Sequence, residues 1–168
     1  MAKELIVSTA FPSYHRSAGY TTCFVEHVLN SLGCDEGTIL DQFPDIAQFI
    51  NPFFIFNNGE RKNHTIRAGF CWKAGDKFRF KVWSAKPYHS KKIIFSEELE
   101  IKKVWNIHID KKGSIWIGNK LYAKATDYEA INRLAQNDGL SLLDFLSWFR
   151  YPAPFDGQII CWKEDINY

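Results

Sequence analysis

Lys77-Phe78-Arg79-Phe80-Lys81-Val82-Trp83 is the stretch that decides the fold class. In an extended chain Phe78, Phe80 and Val82 share one face, and Lys77, Arg79 and Lys81 share the other. A period of two is the pattern of a strand with one buried and one solvated face. Further on, Leu99, Ile101, Trp105, Ile107 and Ile109 repeat it, with Lys103 the single lapse. Asp110-Lys111-Lys112-Gly113 reads as a hairpin loop and Gly118-Asn119 as a second, tighter turn. Strands joined at such short intervals predict an antiparallel meander that curls toward a barrel. The runs 77–83 and 99–109 are expected as neighbours or near-neighbours in one curved sheet. Phe78, Phe80, Val82, Ile101, Ile107 and Ile109 are its expected core.

Upstream, Leu5 to Val7 predicts a short strand and Pro12 to Thr22, rich in turn formers, a loop. Thr22 is placed to cap a helix from about Cys23 to Leu32, with Phe24, Val25, Val28, Leu29 and Leu32 at helical spacing and Gly33 ending it. Residues 34–59 read as an insertion packed by its phenylalanines. Ile46, Phe49 and Ile50 suggest one short helix there, broken by Pro44, Pro52 and Asn57-Asn58-Gly59. Downstream, Tyr128, Ile131, Leu134 and Ala135 line one face of a helix that ends near Asp138-Gly139. Ser141 with Asp144 forms a capping box for another, running to about Arg150. Gln158 to Trp162 is a closing apolar strand. The expected architecture is therefore α+β: one domain over 1–168, with an N-terminal extension 1–22 and an insertion at about 34–59.

The chain of 168 residues carries 46% hydrophobic and 24% charged side chains, an ordinary globular balance. Aromatic content is high at 16%, which serves a core and is also compatible with a stacking platform for bases. A net charge of +2 does not announce a nucleic-acid binder. From Glu60 to Lys103, however, twelve Lys/Arg stand against five Asp/Glu, an excess of 12 − 5 = 7 positive charges able to steer an anion. Cys23, Cys34, Cys71 and Cys161 include no C-x-x-C pair and suggest buried thiols in a reducing cytoplasm rather than a disulfide framework. Cys23 and His27 could share a helix face, but two ligands do not make a metal site, so neither metal nor other cofactor is expected. Nothing near Met1 resembles a signal peptide, and no apolar run reaches the ~18 residues of a membrane span. A cytoplasmic location is the expectation.

Lys62-Asn63-His64-Thr65-Ile66-Arg67, preceded by a helix and followed by Gly75-Asp76, resembles the K-x-x-T-I-R and G-D signature of the ASCH family, a branch of the PUA-like barrel superfamily. Asp138-Gly139-Leu140-Ser141-Leu142 between two helices, then a closing strand, extends the likeness over roughly 60–163. The resemblance implies a PUA-like curved, mixed or antiparallel β-barrel with flanking helices. It also implies recognition of RNA, a nucleotide or a nucleoside in a basic cleft around Lys62–Arg67, with His64 and Arg67 as binding residues. One branch of the family hydrolyses the acetyl amide of N4-acetylcytidine with a Lys, a Thr and a Glu. By position these are Lys62 as base, Thr65 as nucleophile and Asp138 as the acid/base, here one methylene shorter than the family's glutamate.

The residues support that chemistry on their own terms. A threonine hydroxyl attacks only when a base takes its proton, and lysine does so when burial or nearby cations depress its pKa. A dry cleft and Arg67 would push Lys62 that way, while Asp138 would push it back and so serve to orient or to relay a proton to the leaving amine. Strand parity sets a condition. Lys62 and Thr65 are an odd number apart and share a face only if Lys62 precedes the strand or a bulge intervenes. Each residue also has a plain structural role open to it: Thr65 in a strand, Arg67 on a carboxylate, Lys62 in a solvated loop, Asp138-Gly139 in a turn.

A second candidate is Trp83-Ser84-Ala85-Lys86-Pro87-Tyr88-His89-Ser90-Lys91-Lys92, whose rings and cations suit stacked bases and phosphates. Trp83, Lys86 and Tyr88 are its binding residues; the plain alternative is a lysine-rich loop with Trp83 packed on the sheet. The loop Tyr14-His15-Arg16 is a third candidate, placed to lie over the same cleft.

Overall fold

The computed structural model describes residues 2–51, 59–149 and 153–168. In chain order these form β1 (Lys3–Ile6), α1 (Phe24–Leu32), α2 (Glu36–Gln42) and a 3-10 helix (Pro44–Phe49). Then come β2 (His64–Ala68), β3 (Lys77–Trp83), β4 (Lys92–Ile94), β5 (Leu99–Glu100) and β6 (Lys103–Ile109). The chain ends through β7 (Ile115–Ile117), β8 (Lys120–Ala123), α3 (Tyr128–Asn137), α4 (Leu142–Phe149) and β9 (Phe155–Cys161).

The alternating heptapeptide organises the first sheet. β3 pairs in parallel with β1 and antiparallel with both β4 and β5. The second sheet, in the order β2-β9-β6-β7-β8, is antiparallel throughout. The class is α+β as expected, but the described ladders make two sheets and no closed barrel. All six expected core residues are buried, and Phe78 and Phe80 both pack against Trp162 beyond the end of β9, so the sheets share one core.

The expectation of a single sheet through 99–109 is corrected. Ile101 still bonds to the turn before β3, its amide to the Asp76 carbonyl at 2.9 Å, whereas the Lys102 amide already bonds to Cys161 of β9 at 2.8 Å. The chain changes sheets between them. The lapse at Lys103 marks this crossing: its ammonium is drawn away to the Glu164 and Ile166 carbonyls at 2.6 and 2.8 Å.

The helices follow their signals with one change. Gly33, at φ 71°, ends α1, but the N-cap is Cys23, left-handed and with no side-chain bond to the helix; the Thr22 hydroxyl accepts from Phe24 at 3.3 Å instead. Asp127 caps α3 by accepting from Ala130, and Ser141 caps the start of α4 by accepting from Asp144. Within the expected insertion the 3-10 helix buries Ile46, while α2, capped by Asp35, went unpredicted because Gly37 and Thr38 are poor helix formers. Phe43 and Phe49 pack on the core, whereas Pro52, Phe53, Phe54, Phe56, Asn57, Asn58, Arg150 and Pro152 lie outside the described residues. Cys161 is buried, but Cys23 and Cys34 are half-buried and Cys71 is exposed, which corrects the expectation of four buried thiols. Among the described residues no helix is long and apolar enough to cross a membrane.

Candidate functional site

β2 has β9 on one edge, and its other edge is closed by the junction of α3 and α4. The Asn63 amide donates to the Asn137 carbonyl at 2.7 Å, Lys62 forms a bridge with Asp138, and the Lys62 amide donates to His27 of α1 at 2.9 Å. Lys62 thus precedes the strand, meeting the first parity condition. Its side chain turns inward: the ammonium donates at 2.5 Å to both the carbonyl and the carboxylate of Asp138, and lies 3.9 Å from the centre of the Phe24 ring. His64 is fully buried beside this pair, its Nδ1 3.8 Å from the Asp138 carboxylate without a hydrogen bond and its Nε2 2.6 Å from the Tyr168 hydroxyl. Tyr168 also accepts from Asn137 at 3.0 Å.

Burial dominates the electrostatics of this cluster. It lowers the Lys62 pKa against the opposing pull of Asp138, and raises that of Asp138 against the opposing pull of Lys62 and Arg67. Burial, with the Lys62 charge added, pushes His64 well below its ordinary value, so its imidazole is neutral at physiological pH. Thr65 is also buried, but no hydrogen bond joins it to Lys62 among the described residues.

Arg67, on the same strand, leads elsewhere. Its Nη2 donates to the Ile6 carbonyl of β1, its Nε is sealed without a partner, and its Nη1 takes no partner among the described residues. Arg67 lines a cleft of about 830 Å³ whose aromatic walls are Phe11, Trp72, Trp83 and Tyr88. The segment Glu4–Pro12 lines it as well. Cations stand over both tryptophans: Lys3 lies 5.1 Å from the Trp72 ring and Lys92 5.2 Å from the Trp83 ring. Glu4, the only carboxylate lining the cleft among the described residues, is tied to Lys81 at 2.7 Å and to Lys92. A second, polar cleft of about 560 Å³ lies between the chain before β2 and the α3–α4 junction, lined by His27, Glu60, Arg61, Asn63, Asn132 and Asn137 among others.

No family model, curated protein or solved structure matches the chain. The geometry alone therefore sorts the expected site residues. Arg67, Trp83 and Tyr88, drawn from two separate stretches, come together in the larger cleft. Lys86 is exposed on the loop between two lining residues, Ala85 and Pro87, without lining the cleft itself. Lys62, His64, Thr65 and Asp138 gather in the interior and line neither cleft. The loop at Tyr14-His15-Arg16 does not cover the cleft. His15 is buried, bonded to the Asp144 carbonyl at 2.9 Å, and the Arg16 amide donates to Ser147, so the loop docks on α4.

Sequence reasoning missed Phe11, Trp72 and the β1 backbone as cleft walls. Residues 1–22 are no appendage, since β1 is a partner of β3. The available signal was Phe11 next to Pro12, an aromatic on a loop after a short apolar strand. His27 is no ligand paired with Cys23; it bonds Gly139 at 3.1 Å and Glu60 at 3.2 Å.

Proposed function

We propose that this chain is an ASCH-type, PUA-like recognition module that holds RNA or a nucleotide in the cleft at Arg67. The carrying observation is the convergence of Arg67 with Trp83 and Tyr88 around one cleft of about 830 Å³, a half-buried cation among aromatic rings. Ring faces stack on any base, and the surrounding lysines supply contacts for phosphate. Lys62, placed by sequence in the basic cleft, serves instead as the internal strut beside it.

Quenching of tryptophan fluorescence by a short mixed-sequence single-stranded RNA tests this. Binding at low salt is expected. Arg67→Ala should weaken it by about tenfold or more, a loss of roughly 1.4 kcal/mol, and Lys91→Ala only slightly. No binding to RNA, DNA or nucleotides at low salt would sink the proposal.

A second reading, hydrolysis of an N4-acylcytidine-like nucleoside, is favoured by one observation: burial depresses the Lys62 amine, which contacts Asp138. It ranks lower because Thr65 makes no hydrogen bond to Lys62 among the described residues and none of the three residues lines either of the two clefts above. Its test is acetate release from N4-acetylcytidine, abolished by Thr65→Val and by Lys62→Arg, whose guanidinium cannot lose its proton. Turnover that survives Thr65→Val excludes this mechanism.

A further inference from the structure

We infer that the cleft at Arg67 selects a guanine base, gripped along the edge that carries two adjacent acceptors. This rests on the recognition reading above and narrows it from nucleotides in general to one base.

The argument starts from what the cleft offers. Its charged lining residues are Arg67 and Glu4, and Glu4 is already neutralised by Lys81 and Lys92. Arg67 spends one N–H of Nη2 on the Ile6 carbonyl and forms no ion pair with a carboxylate among the described residues. Nε is buried without a partner and out of reach of an occupant, whereas Nη1 takes no partner among the described residues and Nη2 keeps a second N–H, so the Nη1–Nη2 edge is the one that can meet acceptors. Two N–H groups side by side on that edge are best met by an occupant that supplies two acceptors side by side.

The walls decide what kind of acceptor. Phe11, Trp72, Trp83 and Tyr88 line the cleft, and apolar aromatic walls favour a flat, weakly hydrated ring. A phosphate among them would lose its hydration beside lysines already paired, Lys3 with Asp76 and Lys92 with Glu4, whereas Lys86 and Lys91 lie exposed outside and can meet it in water. The floor therefore takes a base and the rim takes its phosphate. Among bases, guanine presents O6 and N7 side by side, the pair that an arginine fork meets with two parallel bonds. Adenine places its amino group beside N7 and would set donor against donor. Uracil interrupts its carbonyls with an N–H. Cytosine offers two adjacent acceptors, N3 and O2, but its single ring covers less of the walls than a purine does.

Tryptophan quenching by GMP, AMP, CMP, UMP and ribose 5-phosphate, with the full chain, tests the inference. GMP should bind tightest, about tenfold or more over AMP. The analogue 7-deaza-GMP, which removes one acceptor and leaves the protein untouched, should lose most of that margin. Arg67→Lys keeps the charge without the fork and should bring the GMP-to-AMP ratio close to one. AMP or CMP matching GMP, or 7-deaza-GMP binding as well as GMP, overturns the guanine assignment. If all four nucleotides bind alike, the recognition reading stands and only the selectivity fails. Ribose 5-phosphate binding as well as GMP would show phosphate capture and overturn the base assignment. No binding by any nucleotide or by RNA defeats both.

Discussion

Lys62 and Asp138 show how far a residue's type can mislead about its place. A lysine ahead of a strand reads as a solvated end, yet this one is 1% exposed because its amide is bonded to His27 and its side chain points along the closed edge of β2. No pattern in the sequence contains that edge. Truncating one partner strands the other charge in the interior, so Lys62→Ala should cost about 3–5 kcal/mol in urea unfolding. The joint change Lys62→Met with Asp138→Leu removes both desolvation penalties and should be neutral or stabilising by about 1–4 kcal/mol. A single change costing no more than the double would show the two groups uncoupled. His64 adds a dependence on pH. Its folded pKa lies well below its unfolded one, so on acidification the unfolded chain takes up a proton that the folded chain refuses. This contribution is complete above the ordinary value of about 6.5 and falls as pH drops toward the folded value. Asp138, raised by burial, acts in the opposite sense at lower pH, its contribution present below the unfolded carboxylate pKa and lost as pH rises through the folded one. His64→Gln should therefore flatten the loss of stability between about pH 7 and about pH 5; an unchanged slope would assign that loss to other groups.

At the scale of elements, alternation was legible and connection was not. Phe78, Phe80 and Val82 told their face because each strand residue reports its own side. Which sheet a strand joins depends on backbone partners remote in sequence, as where Ile101 bonds back to Asp76 and Lys102 bonds forward to Cys161. β1 is the same case: four residues with a weak pattern, placed by a parallel register of Lys3 on Phe78. The α3–α4 pair was read well, because capping signals are local. Gly157 of β9 is an element-scale constraint that composition hides. A Cβ there would lie 2.1 Å from the Arg67 carbonyl oxygen on β2 and 3.0 Å from the Phe155 ring. Backbone cannot swing aside as a side chain does, so Gly157→Ala should force β2 and β9 apart and cost about 1–3 kcal/mol. The same displacement moves Arg67, so loss of nucleotide binding should accompany the lowered thermal midpoint. A midpoint at the wild-type value would mean the ladder yields without strain.

For the whole molecule, the decisive quantity is how charge is distributed rather than its sum. The net charge is +2, yet the excess of seven between Glu60 and Lys103 (12 − 5) is only partly spent: Lys77, Lys81, Lys92 and Lys102 sit in ion pairs, while Lys86 and Lys91 make none among the described residues. Those two lie on the loop after Trp83, whose Tyr88 also lines the cleft, so the fold sets exposed cations beside the cleft and half-buried Arg67 in its lining. The two kinds of cation should answer salt differently. A lysine that neutralises a phosphate releases a counterion, and each such contact on a single strand adds about −0.7 to the slope of log K against log salt. Removing Lys86 and Lys91 together should make that slope shallower by about 1.4 for a short single-stranded RNA, while weakening all sequences alike. Arg67→Ala should lower affinity at every salt concentration and leave the slope nearly in place, because a base edge carries no condensed counterions. The measurement is a series of fluorescence titrations from low to moderate salt on wild type, the double lysine variant and the arginine variant. Should the slope follow Arg67 and ignore the lysines, the phosphate lies on the floor of the cleft and the assignment of floor and rim is reversed.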